Sequence, residues 1–224
     1  MKIVAISDTH NRYQNLVIPE CDLLISCGDY SITGTEAEVE WFHQWLEKQP
    51  AKHIISVQGN HELGVEKNYS LSKTLARLAC PRVHFIDEGY LEIEGIKIWC
   101  SAITPEFCNW AWNRKRGEQI KAHWDLIPDD IEILITHGPP WLILDKIPEI
   151  YWKDGQEIHI DRFVGCVDLL NKVKTIPTLK HHFFGHVHVA HGDHTEFGVQ
   201  FWNVAICDYK NWPVNDPTVV EYKK

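Results

Sequence analysis

No apolar run in the chain approaches the eighteen or so residues that a membrane-crossing helix needs, so no membrane span is expected. The opening stretch from Met1 to Asp8 has one lysine and an apolar run that Asp8 stops, too short for the core of a signal peptide. No Cys-x-x-Cys pair occurs among Cys21, Cys27, Cys80, Cys100, Cys108, Cys166 and Cys207. An odd, scattered set reads as reduced thiols rather than a disulfide framework, and a cytoplasmic location is expected. There is no excess of positive charge, since 22 Lys and Arg stand against 31 Asp and Glu for a net charge of -9. A surface of that sign argues against nucleic acid or an anionic membrane as a partner. The 224 residues hold no repeat, low-complexity tract or Gly/Ser linker, which points to one domain over residues 1–224. Hydrophobic residues at 44% and charged residues at 24% exclude wholesale disorder. The excesses are 14 histidines and 10 tryptophans.

Five short apolar runs, rich in β-branched and aromatic residues, punctuate the chain: Ile3–Ser7, Leu23–Cys27, His53–Val57, Ile131–Thr136 and His181–Phe184. Continuous rather than alternating hydrophobicity suits strands covered on both faces. Glu36–Gln49 reads as a helix with Val39, Phe42, Trp45 and Leu46 on one face and Thr35 as its N-cap. Leu71–Leu78, Trp112–Leu126 and Leu169–Val173 are further helical candidates. Tyr90–Cys100 reads as a hairpin around Glu94-Gly95, and Gly198–Ile206 as a strand. Alternating strands and helices predict an α/β domain.

Each apolar run stops at a residue able to bind metal. The first ends at Asp8-Thr9-His10, the second at Gly28-Asp29, and the third at Gly59-Asn60-His61-Glu62. The fourth ends at His137-Gly138 and the fifth at Gly185-His186-Val187-His188. Ligands bind at the C-terminal strand edge of α/β sheets, and five such coincidences are hard to attribute to core packing. The adjacent glycines permit tight turns and close approach of a substrate.

These motifs resemble those of the calcineurin-like metallophosphoesterase superfamily, which run DxH, GD, GNH(E/D), H and GHxH, and all five are intact. Gly28-Asp29-Tyr30-Ser31, Thr136-His137-Gly138-Pro139-Pro140, Gly165-Cys166 before Leu169-Leu170, and Asn203–Asp208 are similar to the brain-type metallophosphodiesterase subfamily with its bacterial and phage relatives. The likeness runs from Ile3 to about Val220. It implies a four-layer α/β/β/α sandwich with two mixed sheets and a two-metal hydrolase site. By the same resemblance, Asp8, His10, Asp29 and His188 would hold one metal. Asp29, Asn60, His137 and His186 would hold the other, with Asp29 bridging and His61 as the catalytic imidazole.

Imidazole, carboxylate and amide donors without thiolate suit Mn²⁺, Fe, Co²⁺, Ni²⁺ or Zn²⁺ without choosing among them. Two such ions about 3.5–4 Å apart share a hydroxide and clamp the phosphoryl oxygens for in-line attack. The expected activity is therefore hydrolysis of a small phosphate ester, foremost a phosphodiester such as a cyclic nucleotide. A nuclease or phosphomonoesterase of the same superfamily is the alternative. A non-catalytic scaffold fits least, since no ligand is missing. Two divalent ions make a pocket locally cationic despite the net charge of -9. His43 and His53 read as surface or satisfied interior groups, and Arg12 as a solvated surface residue. His181 and His182 read as having no role, while His191 and His194 stay open. Trp110, Trp112 and Trp141 either wall the cleft or pack beneath a long loop.

Overall fold

The computed structural model describes residues 1–67, 81–153 and 156–223. In chain order the first strands are β1 (Lys2–Ile6), β2 (Cys21–Ser26), β3 (Ala51–Val57), β4 (Val83–Ile86), β5 (Glu88–Ile93), β6 (Ile96–Ser101), β7 (Thr104–Pro105) and β8 (Asn113–Arg114). They continue with β9 (Ile133–Thr136), β10 (Lys146–Lys153), β11 (Gln156–Phe163), β12 (His181–Phe184), β13 (Gly192–Glu196), β14 (Val199–Asn203) and β15 (Thr218–Glu221). The α-helices are α1 (Glu36–Leu46), α2 (Leu63–Lys67), α3 (Glu118–Trp124) and α4 (Val167–Val173). The helix expected at Leu71–Leu78 lies outside the described residues.

Two large mixed sheets result, ordered β15-β1-β2-β3-β4 and β13-β14-β12-β9-β6-β5. β1 to β4 are parallel and β15 is antiparallel to β1. In the second sheet β14, β12, β9 and β6 are parallel, with antiparallel edges at β13 and β5. The unbroken hydrophobicity of the central strands now has its cause. Alternate residues of β1 face opposite ways: Ile3 and Ala5 enter an apolar layer shared with Ile98, Ile133 and Phe183 of the other sheet. Val4 and Ile6 instead pack with Val39, Phe42 and Leu46 of α1. The second sheet does the same, turning Leu134, Phe184 and Phe201 toward Ile120, Trp124, Leu169 and Val173 of α3 and α4. Helix, sheet, sheet and helix thus enclose three apolar layers, the α/β/β/α sandwich expected.

Thr35 caps α1 through a reciprocal box, its hydroxyl accepting from the Glu38 amide while the Glu38 carboxylate accepts from the Thr35 amide. The helix ends at Leu46 rather than Gln49, with Glu47 as its C-cap and Pro50 barring any continuation through Gln49. A larger correction concerns Trp112–Leu126. Trp112 adopts a positive φ of 57°, residues 113–114 pair as β8 with β7, and only Glu118–Trp124 is helical. Gly117, at φ 84°, sets the helix start. The hairpin at Glu94-Gly95 is present, and Gly198–Ile206 narrows to β14.

Phe42 joins this framework to the site-bearing loop, stacking on Tyr30, next to Asp29, at a centroid distance of 4.3 Å and an interplanar angle of 4°. Phe42→Ala is expected to destabilise the protein by about 3–5 kcal/mol, read from the urea unfolding midpoint.

Candidate metal centre

Adjacent parallel strands β1, β2 and β3 deliver Asp8, Asp29 and Asn60-His61 side by side at their C-terminal edge. Neighbouring β9 and β12 deliver His137 and His186 to His188 from the second sheet. The two edges are stitched together where Ser7 bridges Ala205 and the Ile206 amide donates to the Ser7 carbonyl at 2.8 Å. All eight residues named from the sequence therefore meet. Donor atoms of Asp8, His10 and His188 lie within 4.8 Å of one another, as do those of Asp29, His137 and His186, and those of His10, Asp29 and His61.

The imidazoles are oriented by backbone carbonyls. His10 Nδ1 faces Ser31 O at 3.3 Å, His61 Nδ1 faces Ile32 O at 2.8 Å, His137 Nδ1 faces Cys27 O at 2.8 Å and His188 Nδ1 faces Asp208 O at 2.8 Å. A carbonyl only accepts, so each ring donates through Nδ1 and, when neutral, presents an Nε2 lone pair to the centre. There the partners are acceptors too. His10 Nε2 is 3.2 Å from His188 Nε2, and His137 Nε2 is 2.8 Å from Asn60 Oδ1 and 3.3 Å from Asp29 Oδ2. Among the described residues nothing donates a hydrogen bond to the buried Asp8 Oδ1, which lies 3.3 Å from His188 Nε2. Acceptors facing acceptors require a proton or a metal cation between them, and the nitrogen, carboxylate and amide set fits a divalent transition metal.

The proton affinities follow. Burial lowers the pKa of His137 and of His188, but their carboxylate partners Asp29 and Asp8 outweigh it and push each up to about 9. Burial would raise Asp8, yet pairing with His188 brings it down to about 2, and Asp29 is lowered further by His137. His186 falls to about 4 through burial and the neighbouring His137.

The local backbone is bent to suit. Asp8, His10, Asp29 and His186 all adopt left-handed backbone, at φ 53°, 42°, 52° and 68°. Asp and His are among the residues that tolerate that region, at a cost of about 1–3 kcal/mol each. A Cβ at Gly59 would overlap the Asp29 carboxylate, and one at Gly185 would overlap Asp8 and Ser7.

Glu62, given no role from the sequence, is the brace of this arrangement. Its fully buried carboxylate accepts from the amides of Asp29 (3.0 Å), Gly59 (2.6 Å) and Ser31 (3.1 Å), and from the Ser31 hydroxyl (2.7 Å). Burial, with repulsion from Asp29, raises its pKa to about 7. Its position after Asn60-His61 was the one signal available.

The undecided residues separate. Trp110 stacks on His61 at 4.4 Å, while Trp112 packs against all three apolar layers. Trp141 is exposed. His182, held down to about 3 by burial, is hydrogen-bonded to Thr136 beside His137. His181 bonds Trp202, His191 faces Ala205 O, and His194 lies exposed near Glu196. His43 is buried, its ring stacked on Phe85 at 5.3 Å and its Nδ1 3.8 Å from Glu47, and among the described residues neither ring nitrogen is hydrogen-bonded. Arg12 lies over the Trp212 ring at 4.5 Å.

A paired-sheet α/β sandwich with buried His and Asp donors at its strand ends defines a metal-dependent hydrolase. The chain belongs to the calcineurin-like phosphoesterase family, whose profile matches residues 1–190. It is 30% identical to human metallophosphoesterase domain-containing protein 1, over 98% of this chain and 70% of that protein. It is 29% identical to a Synechococcus protein named "Probable cyclic nucleotide phosphodiesterase", over 65% of this chain and 53% of that one. One crystal structure superposes with a TM-score of 0.65 at 14% identity, covering 93% of this chain and 91% of the other, a likeness of fold. Members of this family use divalent metal ions.

Two outcomes are expected. Metal must displace the protons that His137 and His188 hold up to about pH 9. Affinity of the chelator-stripped protein should therefore rise by roughly tenfold per pH unit per displaced proton between pH 6.5 and 9, as read by titration calorimetry. Those raised pKa values stabilise the stripped protein fully below pH 6.5, and the contribution is lost as pH rises through 9, so its Tm should fall over that window. Glu62→Ala should weaken metal binding by roughly 10- to 100-fold in the same titration.

Proposed function

We propose that the protein is a metal-dependent phosphodiesterase that hydrolyses a small diester of the cyclic-nucleotide class. The observation that carries this reading is the pair of acceptor-to-acceptor contacts, the partly buried one of His10 with His188 and the buried one of His137 with Asn60, on either side of Asp29. In this reading Asp8, His10, Asp29 and His188 hold one ion. Asn60, His137, His186 and the same Asp29 hold a second, all within a single catalytic domain. When bound, the ions supply charge to the phosphoryl oxygens and acidify a water, chemistry that several transition metals provide, manganese among them.

The chain's own groups do the rest. The Nε2 of His61 points inward, 3.9 Å from Asp29 Oδ2, because its Nδ1 donates to the Ile32 carbonyl. Trp110 covers one side of the ring at 4.4 Å and His10 meets it edge-on at 4.6 Å, which restricts its rotation. As an imidazolium, His61 donates a proton to the departing alkoxide oxygen. The acidic surface favours a small substrate over a long polyanion, and the name of the Synechococcus relative supports the diester class. Cys21, Cys27, Cys100, Cys108, Cys166 and Cys207 are all free thiols, which supports a cytoplasmic location.

The test uses chelator-stripped protein reloaded with Mn²⁺, Fe²⁺, Co²⁺, Ni²⁺ or Zn²⁺ and assayed on bis(p-nitrophenyl) phosphate and p-nitrophenyl phosphate. Metal-dependent turnover favouring the diester is expected, with Asp29→Asn and His61→Ala each lowering kcat by about 10²–10⁴-fold. Absence of turnover with every metal overturns the proposal, and a preference for the monoester overturns the diester assignment.

A further inference from the structure

Beside the donor cluster the surface opens into a cleft of about 580 Å³ with His186 and His188 on its lining. Four of its apolar lining residues come from separate places. Phe107 lies in the loop between β7 and β8, Phe163 ends β11, Val189 follows His188, and Tyr209 follows β14. Phe107 meets the His186 ring edge-on at a centroid distance of 5.1 Å, so the apolar wall starts where the metal donors end. Phe163, Val189 and Tyr209 are left 43%, 50% and 71% exposed. Single exposed apolar groups are ordinary, but several converging on one cavity beside polar donors mark a ligand surface.

The mounting of these groups is specific. Asp208 ties the Tyr209 turn to the donor cluster, because its carbonyl accepts from His188 Nδ1 at 2.8 Å. Its carboxylate accepts from the amides of Lys210 at 2.8 Å and Trp212 at 3.0 Å, which closes the turn. Arg116 braces the opposite wall by donating to the carbonyls of Val164 and Gly165, each at 2.7 Å, directly after Phe163. Arg162 adds an exposed guanidinium to the lining, with Glu149 4.0 Å away. A cavity of this size suits a ligand far larger than one phosphate group. Its combination of ring faces and a cation beside a phosphate site matches a nucleotide, whose heterocycle offers a π-face and whose ester is anionic.

We infer that this cleft is the base-binding subsite. The heterocycle of a nucleotide substrate lies among Phe107, Phe163 and Tyr209 while its phosphate rests on the donor cluster. The inference builds on the phosphodiesterase reading and adds which residues select the organic part of the substrate.

The test compares AMP with inorganic phosphate as ligands of the Mn²⁺-loaded protein by calorimetry, in the wild type and in Phe163→Ala and Tyr209→Ala. Both substitutions remove exposed side chains outside the donor cluster. AMP should bind the wild type more tightly than phosphate, and each variant should lose about 5- to 100-fold in AMP affinity with phosphate binding unchanged. With a cyclic nucleotide as substrate, KM should rise while kcat holds, and Phe163→Trp should retain the wild-type KM. Equal binding of AMP and phosphate by the wild type, or parallel losses of both in the variants, overturns the subsite. Such a result alongside turnover of bis(p-nitrophenyl) phosphate leaves the phosphodiesterase reading standing. Absence of any diester turnover overturns that reading instead, and the calorimetric preference is scored separately.

Discussion

Two imidazole nitrogens that turn lone pairs toward each other across 3.2 Å need positive charge between them, and much of the strand-end architecture exists to hold them so. The His10 and His188 rings come from opposite ends of the chain and from different sheets. Each is locked by a carbonyl on its far nitrogen, and a cation held between them would relieve the repulsion. His137 and Asn60 repeat the arrangement on the other side of Asp29, at 2.8 Å. Because the rings are fixed by backbone groups rather than by other side chains, their orientation is as stiff as the strands that carry them.

That stiffness is costly. Four of the donor residues occupy left-handed backbone, two glycines are pressed against carboxylates, and the Glu62 carboxylate is wholly buried with no cationic partner among the described residues. Each would destabilise a small protein noticeably. A chain with three separate apolar layers has the reserve to hold them, because the strain is confined to the strand ends while the strand bodies pack fully. Glu62 shows how the cost is contained. One carboxylate collects four donors from two loops, so the desolvation of its charge is offset in part by hydrogen bonds that also set the positions of Asp29 and Asn60.

Strand ends and donor residues were legible in the sequence because both are local signals. A strand covered on two faces reads as an unbroken apolar run, and a residue able to bind metal at its end is visible by spacing alone. What was hidden depends on contacts distant along the chain. The carbonyls of Cys27, Ser31, Ile32 and Asp208 that orient the rings carry no side-chain identity, so no sequence pattern announces them. The hairpin β10–β11 was missed because it belongs to neither large sheet and its exposed Ile150 and Ile160 break the expected alternation. The helix expected from Trp112 failed for a tertiary reason as well. The Trp112 amide donates to the carboxylate of Glu66 in α2 at 2.8 Å, a contact between segments distant along the chain. Apolar residues at helical spacing there serve the layers around them, not a helix face.

The acidic composition and the chemistry of the donor cluster are compatible because they act over different ranges. Charges on an exposed surface are screened beyond about 8–10 Å at physiological salt, so a small diester in the cleft responds chiefly to the groups lining it. A long polyanion would instead lay many phosphates against the acidic exterior, adding repulsion with each one. In the proposed subsite the apolar walls around Phe163 and Tyr209 would act in the same direction, since they would gain contact from one ring and nothing from a second phosphate. Under the proposed reading, size selection would therefore have two independent causes, a repulsive exterior and a cavity of about 580 Å³, a volume that suits a single nucleotide.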